Sequence, residues 1–149
     1  KDAHDMGIVI FAAAGNDGGK TNWPAADPNV VAVGSHDMNE KISEFSSRGK
    51  EVPSIWPGEK MLAAISGNRY SEMSGTSMAA PGTAGTLACY RSGLKALGLP
   101  IPNVHELRKI INEDSTDVHT PGVDRRVGPG YLSPALLYMN MTPLPPPVG

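Results

Sequence analysis

Two uninterrupted apolar runs constrain the fold of this chain more than any other feature. Gly7–Ala14 (GIVIFAAA) and Val30–Gly34 (VVAVG) are short and contain β-branched side chains, without the polar–apolar alternation of a half-exposed strand. Such runs are typical of strands in parallel sheets that are covered on both faces. We therefore predict two buried parallel strands within an α/β domain in which helices pack against a largely parallel sheet.

Further strands are indicated downstream of these two runs. Met61–Ile65 is an apolar strand, and Ser66–Asn68 has the composition of a hairpin turn that leads into a strand at Arg69–Met73. Lys41–Ser46 is predicted to be a weaker, more polar strand.

A long helix is predicted from Thr76 to about Leu97, where Gly98 would form its C-terminal cap. Because glycine in a helix costs about 1 kcal/mol relative to alanine, Gly82 and Gly85 indicate that a neighbour packs closely against this helix. Cys89 lies in the middle of the same segment and is predicted to be a buried, inert thiol.

Asn103 followed by Glu106 resembles a capping box and predicts the start of another helix. Its apolar face would consist of Val104, Leu107, Ile110 and Ile111. A last short helix is expected from Ser133. We assign residues 1–140 to one domain and residues 141–149 to a proline-rich tail without a role in the core.

The N-terminal side of this domain looks incomplete. Only six residues precede the first apolar run, whose composition requires neighbours on both sides. The chain starts with Lys1, without an initiator Met or a signal-peptide pattern. We therefore expect it to be a processed chain or part of a longer protein.

Composition excludes several classes of partner and site. The 13 basic and 15 acidic residues give a net charge of −2 without a basic run, so neither nucleic acid nor a membrane surface is an expected partner. No apolar stretch approaches 18 residues, the length that a membrane-spanning helix needs. With a single cysteine, the chain cannot form an internal disulfide, and a cysteine-based metal site is not expected.

One candidate motif is a phosphate-binding loop. Ala14–Thr21 (AGNDGGKT) follows an apolar strand and nearly matches G-x-x-x-x-G-K-[ST], which would bind nucleotide phosphates. Ala14 stands where the first glycine belongs, and Pro24 and Pro28 prevent the helix that such a loop requires. Nucleotide binding therefore remains only a weak alternative.

The competing candidate is a serine nucleophile. Ser77 lies at the start of the long helix, where its backbone N–H is free and the helix dipole favours negative charge. Gly75 keeps the approach to this serine open. A second donor for the developing oxyanion is required, and the side chain of Asn16, which follows a strand, has suitable chemistry.

These segments resemble the motifs of the subtilisin-like serine proteases (subtilases). The similar segments occur in the family's order: Ala13–Gly18 (AAGNDG), Trp23–Ala26, Val30–Gly34, Phe45–Gly49, Pro57–Gly58, Gly75–Pro81 (GTSMAAP) and Gly128–Leu132. The resemblance implies the three-layer subtilisin-like fold, with Ser77 as the nucleophile and Asn16 as the oxyanion donor. It also implies that the substrate cleft is lined by Ala13, Ala14, Gly15, Asn22, Gly75 and Thr76.

The resemblance also shows what the chain lacks. Subtilases carry the catalytic Asp and His before the serine, in segments similar to D-[ST]-G and H-G-T, and neither pattern occurs here. We therefore expect the C-terminal half of a catalytic domain that cleaves polypeptides and needs an N-terminal segment, or a second chain, to supply both residues. None of the four histidines, His4, His36, His105 and His119, is an expected replacement for the base.

Three further expectations remain open. The same sequence is compatible with a non-catalytic subtilase-like domain that binds a partner. Relatives often bind calcium, for which Asp17, Asp27 and Asp37 are candidate ligands, although loop carboxylates are more commonly solvated. The family resemblance favours an extracellular or secreted location.

Overall fold

The computed structural model describes residues 1–49, 52–113, 115–116 and 131–132. Along the chain, the elements are α1 (Asp2–Asp5), β1 (Ile10–Ala13), β2 (Val30–His36), β3 (Ser54–Pro57), β4 (Met61–Ile65), β5 (Arg69–Met73), α2 (Thr76–Ala96), α3 (Val104–Glu113), β6 (Ser115–Thr116) and β7 (Tyr131–Leu132). The predicted helix from Ser133 and the proline-rich tail lie outside the described residues.

Five strands form the main sheet in the order β1-β2-β3-β7-β6. β1, β2, β3 and β7 run parallel, with Ile10 opposite Val30 and Val33 opposite Ser54, and β6 pairs antiparallel with β7. The prediction of a largely parallel sheet is therefore confirmed. β4 and β5 form a separate antiparallel hairpin, as the turn at residues 66–68 predicted.

Every residue of β2 is buried, and successive side chains of this strand enter two different cores. Val31 packs with residues of the two long helices, namely Leu87, Tyr90, Leu94, Leu107 and Ile111. Ala32 packs on the other face with Ala14, Ala25, Ile42, Val52 and Ile55, which come from strands and loops. The sheet is thus covered on both faces at β2, which explains why this strand has no polar–apolar alternation.

α2 begins and ends close to the predicted limits, but its small residues do not all pack as predicted. A Cβ on Gly82 would overlap the ring of Trp56, so close packing is confirmed at this position. A Cβ on Gly85 would meet nothing within 4 Å. Cys89 is exposed, and the prediction of a buried thiol was therefore wrong: the thiol lies on the side of α2 that the described residues leave uncovered.

The capping box of α3 is confirmed by its hydrogen bonds. The Asn103 side-chain oxygen accepts from the N–H groups of His105 (2.9 Å) and Glu106 (3.0 Å), and the Glu106 carboxylate accepts from the Asn103 N–H (2.7 Å). Leu107 and Ile111 are fully buried on the apolar face of this helix.

The prediction of a strand at Lys41–Ser46 was wrong. This segment forms only one bridge, between Ile42 and His36, and then turns. Its serines bond β2 through side chains instead: the Ser46 hydroxyl accepts from the Ser35 N–H at 3.0 Å, and the Ser43 and Ser35 hydroxyls lie 2.7 Å apart. The serine hydroxyls thus form hydrogen bonds with β2 that the backbone of a paired strand would otherwise form.

Four elements were not predicted: β3, α1, and the two-residue strands β6 and β7. β3 is flanked by Pro53 and ends at Pro57, and proline usually argues against a central strand. α1 is a single helical turn with no buried residue, so no apolar periodicity marks it in the sequence.

Candidate active site

The candidate site forms where three segments meet at the carboxyl ends of the parallel strands. Ala14–Asn16 follows β1, Gly58 follows β3, and Gly75 precedes α2. The Gly75 N–H donates a hydrogen bond of 2.8 Å to the Gly58 carbonyl, which joins the turn before α2 to the end of β3. A Cβ on Gly58 would contact the Ser35 side chain and would lie 2.8 Å from the Gly75 carbonyl oxygen, so only glycine fits beneath this turn.

Asn16 and Thr76 are joined by two hydrogen bonds across 60 residues of sequence. The Asn16 Oδ1 accepts from the Thr76 backbone N–H and from the Thr76 hydroxyl, both at 2.8 Å. The same hydroxyl accepts from the Gly15 N–H at 3.2 Å. Because the carboxamide oxygen is held by two donors, the orientation of the Asn16 side chain is fixed and its NH2 group is left to donate elsewhere.

Ser77 is exposed at the second residue of α2, immediately after the buried Thr76. Neighbouring N–H groups are engaged, since that of Thr76 bonds Asn16 and that of Met78 bonds the Gly75 carbonyl. Within the ranges that the structure describes, the Ser77 N–H has no acceptor. This N–H is therefore available to an anion at the positive end of the helix dipole.

Glycine at position 75 keeps the space beside the Asn16 amide open. A Cβ on Gly75 would lie 3.2 Å from the Asn16 Nδ2. The side chains of Asn16 and Ser77 are both exposed, and Gly75 adds no side chain next to the Asn16 amide.

Asp17 organises the loop that follows Asn16. Its carboxylate accepts hydrogen bonds from the Ser47 hydroxyl (2.6 Å), the Gly19 N–H (3.0 Å) and the Asn22 amide (3.4 Å). These bonds, that of Ser47 foremost, hold the pKa of the Asp17 carboxyl below its ordinary value. Asp17 is thus an ionised anchor that positions Asn22 relative to Ser47.

The residues predicted to line a cleft have different degrees of exposure. Asn22 is exposed, Ala13 and Gly15 are half-buried, and Ala14 and Thr76 are fully buried. A Cβ on Gly15, which has a φ of +121°, would contact the side chains of Asn22 and Ser47. The buried Thr76 holds the exposed Asn16 side chain through hydrogen bonds, and Gly15 allows its loop to lie close to the loops that carry Asn22 and Ser47.

Three contributors to this region were not assigned roles from the sequence: Ser47, Gly58 and Asp17 as an anchor. The signal for two of them was present, because Phe45–Gly49 and Pro57–Gly58 stand out as ordered motifs. Ser47 and Asp17 are joined by a hydrogen bond that spans 30 residues, and Gly58 is required because the Gly75 carbonyl lies so close to it. Sequence spacing reveals neither contact.

Among the described residues, no hydrogen bond joins Ser77 to a histidine. The His4 and His105 rings pack edge to face with centroids 5.0 Å apart, and His36 is buried in β2. His119 lies outside the described residues.

The two alternative ligand sites receive no geometric support. The loop Ala14–Thr21 is followed by turns and not by a helix, so it lacks the helix N-terminus of a phosphate-binding loop. Asp17, Asp27 and Asp37 each accept hydrogen bonds within separate loops. No group of three or more His, Cys, Asp or Glu side chains that could hold a metal occurs among residues 1–49 and 52–111.

The fold and the site together define a class: an α/β protein with an exposed serine at a helix N-terminus beside an oriented asparagine amide. The comparisons with known proteins identify the family within this class. A sequence model described as the subtilase family matches residues 1–130, and this chain therefore belongs to the subtilase family.

Two curated relatives and one solved structure illustrate the similarity. The chain is 45% identical over 91 residues to the thermophilic serine proteinase of Bacillus sp. (strain AK1), an alignment that covers 60% of this chain and 23% of the relative. It is 39% identical over 98 residues to the major intracellular serine protease of Bacillus subtilis (strain 168), which covers 62% of this chain and 31% of that protein. The structure of the prenylagaramide maturation protease PagA matches 95% of this chain with a TM-score of 0.82 and 26% identity.

The chain spans less than a third of these curated relatives and 53% of the PagA chain. The subtilisin-like fold of the solved neighbours confirms the predicted fold class. Several of the curated relatives are named as serine proteases, and the relatives include both intracellular and extracellular enzymes. None of the described helices is long and apolar enough to span a membrane.

Proposed function

We propose that this chain supplies the nucleophile and the oxyanion donors of a subtilisin-like serine endopeptidase. Ser77 is the nucleophile, and the Asn16 NH2 group and the Ser77 N–H bind the oxyanion. The observation that carries the proposal is the pair of 2.8 Å hydrogen bonds from Thr76 to the Asn16 Oδ1. With the Oδ1 held in this way, the orientation of the Asn16 amide is fixed and its NH2 group is free to donate a hydrogen bond. The residue that holds it, Thr76, directly precedes Ser77.

The reaction is acyl transfer from a polypeptide followed by hydrolysis. The Ser77 hydroxyl loses its proton to an imidazole as its oxygen attacks the carbonyl carbon of the peptide bond. Negative charge then develops on the former carbonyl oxygen, where the two N–H donors stabilise it. The amine leaves with the proton, and water attacks the acyl-enzyme to release the second product and regenerate Ser77.

The imidazole and the Asp that orients it come from an N-terminal subtilase segment, on the same polypeptide or on a separate one. Two observations support this requirement: Ser77 has no hydrogen bond to a histidine among the described residues, and the chain spans only part of its relatives. Without a base, a serine hydroxyl is a weak nucleophile, so the chain by itself should be inactive.

A fluorophosphonate probe tests the proposal directly, because it phosphonylates activated serines, with fluoride as the leaving group. The protein is treated with the probe in the presence of its native partners, and the adduct is located by mass spectrometry of the peptide that contains Ser77. We expect labelling of Ser77, loss of labelling in Ser77→Ala, and slower labelling in Asn16→Ala.

Matched controls separate catalysis from folding. Ser74→Ala removes a hydroxyl three residues before Ser77, on a side chain whose hydroxyl accepts from the Lys60 N–H, and should leave labelling intact. If Ser77 stays unlabelled with every native partner present, the chain is instead a non-catalytic subtilase-like binding domain, the second hypothesis from the sequence.

We further propose that the protein acts outside the cell, as its similarity to extracellular relatives supports. Fractionation of the producing cells, with immunodetection of the chain in the medium and in the lysate, tests this location. Detection in the lysate alone would contradict it.

A further inference from the structure

Two histidines that are distant in the sequence lie together outside the candidate active site. His4 belongs to α1 and His105 to the first turn of α3, and their ring centroids are 5.0 Å apart with an angle of 79° between the ring planes. α1 precedes β1, so the pair lies toward the amino end of this strand, whereas Asn16 follows its carboxyl end. Because a neutral imidazole offers a nitrogen lone pair, histidine is the commonest metal ligand among side chains.

The separation of the two rings matches the geometry of shared metal coordination. Zinc binds imidazole nitrogens at about 2 Å, and a ring centre lies about 1.1 Å behind its nitrogen, so two imidazoles on one tetrahedral zinc have centres roughly 5 Å apart. The rings of His4 and His105 already have this spacing. Rotation of the two side chains is enough to aim one nitrogen of each ring at a shared ion, so the two helices keep their positions.

The ring nitrogens of both histidines are available to an ion from solution. Within the described residues, the one polar contact of either ring joins the His4 Nδ1 to the Asp5 Oδ1 at 3.7 Å, which is too long for a hydrogen bond. The His4 side chain is 12% exposed, and neither of its nitrogens is sealed in the interior. His105 is exposed. Dissolved ions therefore reach the pair.

Asp5 provides a carboxylate next to the His4 ring. Metal-binding histidines usually direct their second ring nitrogen at a carboxylate or carbonyl, which orients the ring and raises its basicity. Because the Asp5 oxygen lies on the Nδ1 side of His4, the Nε2 of this ring is left for the metal. No third His, Cys, Asp or Glu completes a metal-binding group in the ranges that the structure describes, so water fills the other coordination positions.

We propose that His4 and His105 bind one divalent transition-metal ion, for which Zn²⁺ is the probe, through one imidazole nitrogen of each ring. Asp5 orients His4 in this site. Each imidazole replaces one water molecule of the hydrated ion, and neither the ion nor the protein changes its oxidation state. The proposal goes beyond the catalytic function and does not depend on it.

The ion connects a weakly held element to a firmly anchored one. α1 is a single helical turn without a buried residue or a side-chain cap, whereas α3 is anchored by the fully buried Leu107 and Ile111. A ligand that binds only the folded state stabilises it by an amount that grows with the logarithm of the ligand concentration. Zinc should therefore hold α1 against α3 and raise the stability of the whole chain.

The test is a calorimetric titration of the purified protein with ZnCl2. All samples carry Cys89→Ser, because the exposed Cys89 thiol is itself a zinc ligand. We expect one Zn²⁺ per chain, and we expect His4→Ala and His105→Ala each to weaken binding by about tenfold or more, since each removes one of the two protein ligands. His119→Ala, the matched control, should leave the affinity unchanged.

The individual variants identify which residues hold the ion. If His4→Ala abolishes binding but His105→Ala does not, the ion lies on α1 alone and the proposal is wrong. The absence of zinc binding, or binding that survives both substitutions, would also overturn it.

A second readout separates metal coordination from packing of the two rings. His105→Phe keeps an aromatic ring next to His4 but removes the ligand. Urea denaturation is measured with and without Zn²⁺. The denaturation midpoint should rise with zinc concentration in the Cys89→Ser parent and should not respond to zinc in His105→Phe, whatever the midpoint of that variant without metal. An equal zinc-dependent rise in both proteins would refute the site.

Discussion

The backbone and side chain of Thr76 both bind the carboxamide oxygen of Asn16, at 2.8 Å each, although 60 residues separate them in the sequence. Thr76 is fully buried and contributes nothing to the surface, whereas Asn16 is exposed. The buried residue therefore determines how the exposed amide is oriented. This relationship leads to the first of four predictions.

Thr76→Val keeps the shape of the side chain and the backbone N–H but removes the hydroxyl. The Asn16 oxygen then loses one of its two donors, and the Gly15 N–H loses its acceptor. Because one hydrogen bond is worth about 1 kcal/mol net, we expect about a fivefold slower reaction of Ser77 with the fluorophosphonate in the assembled protein. Thr76→Ser, which retains the hydroxyl, should restore the rate. Equal rates in both variants would contradict the role of Thr76 as a positioning residue.

Gly75→Ala tests whether the space beside the Asn16 amide must remain open. The added Cβ would lie 3.2 Å from the Asn16 Nδ2, where a substrate oxygen would bind. Displacement of this amide should slow phosphonylation of Ser77 roughly tenfold, which corresponds to the loss of about 1.4 kcal/mol of transition-state stabilisation. Labelling kinetics, with circular dichroism to verify folding, measure the effect. A variant that folds and reacts at the parental rate would show that the space is not used.

Two glycines of α2 should respond in opposite directions to the same substitution. Gly82→Ala places a Cβ against the Trp56 ring and should destabilise the protein, whereas Gly85→Ala meets no neighbour. Alanine is favoured over glycine in helices by about 1 kcal/mol, so Gly85→Ala should raise the free energy of unfolding by up to that amount. Urea denaturation of the purified protein measures both changes. A change of the same sign in the free energy of unfolding of both variants would refute the difference in packing between Gly82 and Gly85.

Asp17 should contribute stability that depends on pH. Its pKa is lowered in the folded protein by the hydrogen bonds from Ser47, Gly19 and Asn22. A lowered pKa means that the folded state binds the proton less tightly than the unfolded chain does, so the contribution is present above the ordinary pKa of 3.8 and is lost as pH falls through the lowered value.

We therefore expect Asp17→Asn to reduce the free energy of unfolding at pH 6 and to have a progressively smaller effect as pH falls below 3.8. Ser47→Ala, which removes the largest cause of the shift, should reproduce part of the loss at pH 6. Denaturation curves recorded across this pH range measure the free energy of unfolding of each variant. A destabilisation by Asp17→Asn that is constant with pH would contradict the assignment.

Much of the fold was predictable because its signals are local. The apolar runs indicated β1 and β2, the turn at residues 66–68 indicated the hairpin, and the pair Asn103 and Glu106 marked the start of α3. Ser77 and Asn16 were chosen as candidate site residues because short motifs around them combine suitable chemistry with the order typical of a family.

The predictions that failed depended on tertiary contacts. Ile42 and the serines that follow it bond β2 through one bridge and through hydroxyl groups, which the pattern of Lys41–Ser46 does not distinguish from a strand. β3 pairs between β2 and β7 despite its prolines. Cys89 was predicted to be buried because small residues surround it, but burial depends on what covers α2, and the described residues leave that side open.

The hydrogen bonds between Asn16, Thr76 and Gly15 join segments of one polypeptide, so the groups that would stabilise an oxyanion are organised when this chain folds. Under the proposed function, the Asn16 NH2 group and the Ser77 N–H are already oriented before the base is positioned next to Ser77. These donors therefore need no reorganisation during the reaction. Completing the site would then require only that the imidazole be placed next to Ser77, whichever polypeptide carries it.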